Sequence, residues 1–123
     1  MNQNKVILIV DDDNRNIFAL SLTLKAKGYQ VVSCVLATDA IRLLEDQNSI
    51  SLVLMDMMMP EIDGYEAIRL IQSSTVIKDV PIIAVTAQAM SGDREKCLAA
   101  GAQAYVSKPI DIDLLLVEIE RLI

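Results

Sequence analysis

The chain has 123 residues, enough for one domain (residues 1–123) that buries about two-thirds of its unfolded surface. Hydrophobic residues make up 53% and charged residues 23%, a balance that excludes a disordered or fibrous chain. A formal charge of -6 argues against direct binding to nucleic acid or an anionic membrane, and the absence of histidine excludes His-based metal sites, Ser-His or Cys-His catalysis and a phosphohistidine carried by this chain.

Val6 to Val10 is the first apolar run, rich in β-branched residues and closed by Asp11-Asp12-Asp13, and it reads as a buried strand. From Asn16 to Lys27 the apolar spacing becomes helical, with Ile17, Leu20 and Leu24 on one face and Gly28 as the stop. Tyr29 to Val35 is a second strand. Thr38 is placed to cap a helix ending near Asn48, with Ile41 and Leu44 facing inward. Leu52 to Met55 is an unbroken apolar run that ends at Asp56, as expected of a strand covered on both faces. Glu61 to Gly64 reads as a turn, and Tyr65 to Ile71 as a helix burying Ala67, Ile68 and Ile71. Pro81 opens a fourth strand, Ile82 to Val85, which ends at Thr86. Ser91 is the expected N-cap of a short polar helix running to Ala100, with Gly101 as its stop. Ala104 to Ser107 is the fifth strand, broken by Lys108-Pro109. Asp111 caps a last helix that carries Leu115, Ile119 and Leu122 inward.

Strand and helix alternate five times over short connections. That pattern calls for a doubly wound parallel five-stranded sheet with right-handed crossovers and helices on both faces, the flavodoxin-like (βα)5 architecture with strand order 2-1-3-4-5. Cys34 and Cys97 lie in apolar settings and read as buried free thiols of a reducing compartment. No apolar run reaches membrane-spanning length, so a cytoplasmic protein is expected.

In such a sheet, ligands bind at the carboxyl ends of the strands. The polar residues there are Asp11 and Asp12 after the first strand, Asp56 after the third, Thr86 after the fourth and Lys108 after the fifth. Two carboxylates about 5 Å apart repel by about 3 kcal/mol at an effective dielectric near 20. Three carboxylates with one lysine call for a divalent cation, and an all-oxygen donor set makes Mg²⁺ the natural one. The methionines around Asp56 read as apolar filling rather than thioether ligands.

Taken together, Asp11-Asp12, Asp56 with Pro60 and Gly64 beyond it, Thr86-Ala87 and Lys108-Pro109 make the chain resemble a response-regulator receiver domain over essentially its full length. The resemblance implies a phosphorylation-activated switch, not a turnover enzyme. Asp56 would be the phosphoryl acceptor, served by a sensor histidine kinase or a histidine phosphotransfer protein. Asp12 and Asp56 would bind Mg²⁺ directly, Asp11 through water and Met58 through its backbone carbonyl. Lys108 would pair with the phosphoryl group, Thr86 would donate its hydroxyl to it, and Tyr105 would switch position with Thr86. The Lys108-Pro109 bond matches the family's cis peptide. The surface expected to change is the fifth strand with its flanking helices. Met58, apolar where many relatives are polar, would shield the acyl phosphate, and Gln88 would orient the attacking water.

Three other readings compete. A dehalogenase-like phosphatase needs a second acid two residues after the nucleophile, where this chain has Met58. A flavin or nucleotide site lacks its glycine motifs, and 3 Tyr with 1 Phe are few for it. A degenerate receiver acting only as an interaction module is opposed by the filled acceptor positions. The downstream target is unspecified. The stretches Ala87 to Met90 and Ser107 to Ile110 resemble hybrid-kinase receivers and certain stand-alone regulators, while Met1 and the short leader favour a stand-alone regulator.

Overall fold

A computed structural model describes residues 5–47, 49–59, 63–77, 79–87 and 92–123. The elements are β1 (Val6–Val10), α1 (Asn14–Ala26), β2 (Gln30–Cys34), α2 (Ala37–Asp46), β3 (Leu52–Asp56), α3 (Gly64–Ser73), β4 (Ile82–Thr86), α4 (Asp93–Ala100), β5 (Ala104–Ser107) and α5 (Ile112–Leu122). All strand pairs are parallel, and the order is β2-β1-β3-β4-β5, as the alternating pattern required.

Successive strand residues point to opposite faces of a sheet, so each central strand feeds two apolar layers. Ile7, Ile9, Leu52, Leu54, Ile83 and Val106 pack with Ile17, Leu20 and Leu24 of α1 and Leu115 and Ile119 of α5. Leu8, Val10, Val53, Met55, Ile82 and Ala84 pack on the other side with residues of α2, α3 and α4. β3 and β4 are buried at every position, which is why their sequences are unbroken apolar runs rather than alternating ones. Burying side chains of this size contributes roughly 1.5–3 kcal/mol each. No described helix is long and apolar enough to cross a membrane.

Several local expectations shift. α1 begins two residues early because Asp13 caps it, accepting the Arg15 amide at 3.0 Å. Thr38 lies inside α2 and is not its cap. The N-cap is Leu36, which makes no side-chain capping bond, and the helix ends at Asp46, while Asn48 lies outside the described residues. Ile41 and Leu122 do pack against the two apolar layers but stay half-buried, and Cys34 is half-buried because β2 is an edge strand. Both cysteines are free. Pro60, Glu61, Ile62 and the Gln88-to-Ser91 stretch, with its expected cap, also lie outside the described residues. Asp111 does cap α5, accepting the Asp113 amide at 3.0 Å.

Candidate functional site

The chain runs from β1 out to β2 on one side and then returns past β1 to β3 on the other. The strand order therefore reverses beside the carboxyl ends of β1 and β3, where a crevice opens in this architecture. Asp11 and Asp56 stand on either side of it. The Asp11 amide still bonds to the Cys34 carbonyl at 3.1 Å, so this residue is fixed by the end of the β1–β2 ladder. Asp56 is the last residue of β3, opposite Val85 of β4. Both are 3% exposed.

Each acid is held by specific donors. The Oδ1 of Asp11 accepts the Asp13 amide at 2.8 Å, which turns the chain into α1. Its Oδ2 accepts the side-chain amide of Asn16 and faces Lys108 Nζ at 3.8 Å. For Asp56, Oδ1 accepts the Met58 amide at 3.0 Å and Oδ2 lies 3.6 Å from Lys108 Nζ. Lys108 reaches both acids because its own amide is tied to the Thr86 carbonyl at 2.7 Å, just before a cis bond to Pro109.

Asp12 is exposed, but one oxygen from each of Asp11, Asp12 and Asp56 lies within 4.8 Å of the other two. At that spacing each pair repels by about 3 kcal/mol if the effective dielectric is near 20. Burial pushes the Asp56 carboxyl above the usual carboxylate range; Asp11 and Asp12 push the same way, while the Met58 amide and Lys108 pull against it. One lysine against three acids leaves an excess of negative charge beside buried strands. The donor set is all oxygen and the site opens to solvent through Asp12, which fits a hard divalent ion that keeps water in its shell.

The structure brings together Asp11, Asp12, Asp56 and Lys108, as the strand-end reading required. Thr86 is buried at the end of β4, and Tyr105 is half-buried on β5, two residues back from the Thr86–Ser107 pair. Met58 presents its amide to Asp56, and the residue is 51% exposed. Two residues were missed from sequence. Asn16 is at the third position of α1, where side chains reach back over a helix start, and that spacing was the available signal. Asp93 is 8% exposed at the start of α4, and no local pattern marks a burial that depends on Tyr65 of another helix.

A family model described as the response regulator receiver domain matches residues 7–120. The polar-differentiation response regulator DivK of Brucella ovis is 33% identical over 108 residues, spanning 88% of this chain and 87% of that protein. The receiver domain of the Pseudomonas aeruginosa sensor histidine kinase PA1611, solved with magnesium in its active-site cleft, is 37% identical, with a TM-score of 0.86 and 97% of each chain covered. The same fold, at 23% identity and a TM-score of 0.87, covers 99% of this chain and 90% of the Saccharomyces cerevisiae Ssk1 receiver, which was solved with the histidine phosphotransfer protein Ypd1.

Proposed function

The chain belongs to the response regulator receiver domain family of two-component signalling, phosphorylation-based switches, and from that membership we propose that Asp56 is its phosphoryl acceptor. The observation that carries this reading is the pairing of Asp56 Oδ2 with Lys108 at 3.6 Å inside the three-carboxylate cluster. Its Oδ1 is fixed by the Met58 amide, which leaves Oδ2, beside Lys108, as the attacking oxygen. In the transfer, Oδ2 forms the new O–P bond while the P–N bond to a partner's phosphohistidine breaks, and the freed imidazole nitrogen takes up a proton.

Asp12 and Asp56 would hold Mg²⁺ directly. Asp11, with donors already on both of its oxygens, would hold it through water, and the Met58 carbonyl would complete the protein's share. Bound there, the ion spreads the charge of the transferring group. Lys108, already aimed at Asp56, is set to pair with the phosphoryl oxygens, and the Thr86 hydroxyl to donate to them. Thr86 drawn inward leaves room for Tyr105, which changes the surface around β5. Met58 shields the acyl phosphate from water, with Gln88 orienting that water. The protein is thus an acceptor that assists its own phosphorylation and dephosphorylation, supplied by a histidine kinase or phosphotransfer protein and read out by protein contact in the cytoplasm.

Incubation with acetyl phosphate, followed by prompt acid quench and intact mass, tests the reading. One added phosphoryl group is expected, dependent on Mg²⁺ and lost in Asp56→Asn. An adduct that survives in Asp56→Asn or forms equally in excess chelator contradicts it.

A further inference from the structure

β2 pairs with β1 on one side, and among the described residues no strand covers its other side. The Gln30 amide bonds to the Lys5 carbonyl at 3.0 Å, and the Cys34 carbonyl accepts the Asp11 amide at 3.1 Å, so Gln30, Val32 and Cys34 turn their backbone groups towards β1. Alternate residues of a strand face opposite edges, so the N–H and C=O groups of Val31 and Ser33 point outward. No described residue bonds to them.

An edge left open in this way is a template for another strand, and proteins block such edges with charge, proline or a bulge. This one carries none of the three. Gly28 to Thr38 holds no charged residue and no proline, the β1–β2 register runs without a break, and Val32, Ser33, Val35 and Leu36 are exposed. The opposite edge, β5, is four residues long and runs straight into Lys108-Pro109, a charge and a residue without an N–H.

The symmetry of the strand selects the occupant. Val31 and Ser33 lie one residue either side of Val32. In an antiparallel pair of two β2 strands, Val31 of each copy stands opposite Ser33 of the other and exchanges two hydrogen bonds with it, with the two Val32 residues side by side on the two-fold axis. Every outward N–H and C=O of both strands is then paired, and the assembly closes because each copy has a single β2 edge. The flanking charges agree. Lys25 and Lys27 precede the strand and Asp39 follows it, near enough to raise the Cys34 thiol, so antiparallel pairing lays the basic end of one copy along the acidic end of the other. The exposed contact of Asp39 with Arg42, at 3.8 Å, is too weak to cancel this.

We propose that β2 is a self-recognition edge, through which two copies of this chain join their five-stranded sheets antiparallel into one. The proposal does not rest on the acceptor-site reading.

Sedimentation of the reduced, unphosphorylated full chain tests it. The 13.5 kDa monomer should pass to a dimer as concentration rises from about 1 µM to about 1 mM, since a short strand pair without a large apolar interface binds weakly. A chain that stays monomeric throughout, or that grows beyond the dimer, overturns the proposal. Ser33→Pro removes an outward N–H without touching the β1 ladder, and Val32→Lys sets two like charges together on the axis. Each should weaken dimerisation about tenfold and leave the far-UV spectrum of dilute protein unchanged. If the proline variant misfolds, the lysine variant decides. A dimer that withstands the folded variants lies elsewhere on the molecule and overturns the proposal. Cross-linking reads the register. In a Cys34→Ser background under mild oxidation, Val32→Cys puts two Cα atoms about 4.5 Å apart, within the span of a disulfide, and a covalent dimer is expected. Ser33→Cys, which faces Val31, should cross-link about tenfold more slowly. Equal cross-linking at the two positions, or none at position 32, overturns the antiparallel join.

Discussion

Burial holds the Asp56 carboxyl above its ordinary range, with Asp11 and Asp12 adding to the rise, while the Met58 amide and Lys108 limit it. A carboxyl raised on folding is a penalty that exists only where the folded form must ionise. Below the unfolded carboxyl range both states carry the proton and nothing is lost. As pH rises through the raised folded value, the penalty comes fully into force and persists at neutral pH. In metal-free buffer Asp56→Asn should therefore melt a few degrees above the wild type at pH 7, and the gap should narrow towards about pH 4. A gap that widens on acidification would mean the site stabilises the ionised form.

Asn16 carries a separate prediction. By donating to Asp11 Oδ2 it orients a carboxylate that two other donors also engage. Removing such an orienting partner from a metal site costs on the order of tenfold in affinity. Asn16→Ala should weaken Mg²⁺ binding by roughly that factor in calorimetric titration, with the melting temperature in chelator nearly unchanged. Unaltered affinity would leave Asn16 with a helix-start role alone.

At the scale of elements, the join between β3 and α3 is the tightest constraint on the site. A Cβ added at Gly64 would lie 2.5 Å from Met57 Sδ and 2.7 Å from Met57 Cα. The thioether can turn away, but the backbone cannot, since the Met57 amide is bonded to the Val85 carbonyl at 2.9 Å. α3 starts beside the residue that follows Asp56, so Gly64→Ala must push the helix off the end of β3. An overpacking cost of about 1–3 kcal/mol is expected, read as a lower urea midpoint. A midpoint equal to the wild type would show that the helix can shift freely. Glycine here is required by the close approach of two elements, and the sequence motif showed the residue without showing that reason.

The elements show where sequence reading succeeds and where it stops. β3 and β4 were legible because a doubly covered strand must be apolar throughout, and α5 because Asp111 and the Leu115–Ile119 spacing are local signals. The start of α2 was not, because Leu36 caps it without any side-chain bond while Thr38 offers a better local signal two residues too late. The strand-end acids were legible as a set, since one architecture brings them to one edge. Asn16 and Asp93 were not: the first depends on the direction of an amide, the second on a tyrosine 28 residues away.

For the whole molecule, one topological fact places the chemistry. The reversal of strand order beside β1 and β3 sets Asp11 and Asp56 facing each other, and the parallel β4–β5 pair brings Lys108 across to both. The two apolar layers back that edge from both faces, while α4 buries only Asp93, Cys97 and Ala100 of its eight residues. A net charge of -6 opposes attraction to the phosphates of nucleic acid.

The claim that joins these scales is that the phosphoryl group is carried by the Asp56 carboxylate and no other. Borohydride reduction of the freshly phosphorylated protein converts an aspartyl phosphate to homoserine, and peptide mass spectrometry then gives its position. Homoserine at position 56 alone, appearing only when Mg²⁺ was present during phosphorylation, is the predicted result. Homoserine at position 11 or 12, or a phosphate that resists reduction because it is esterified to Thr86 or a serine, would contradict the account.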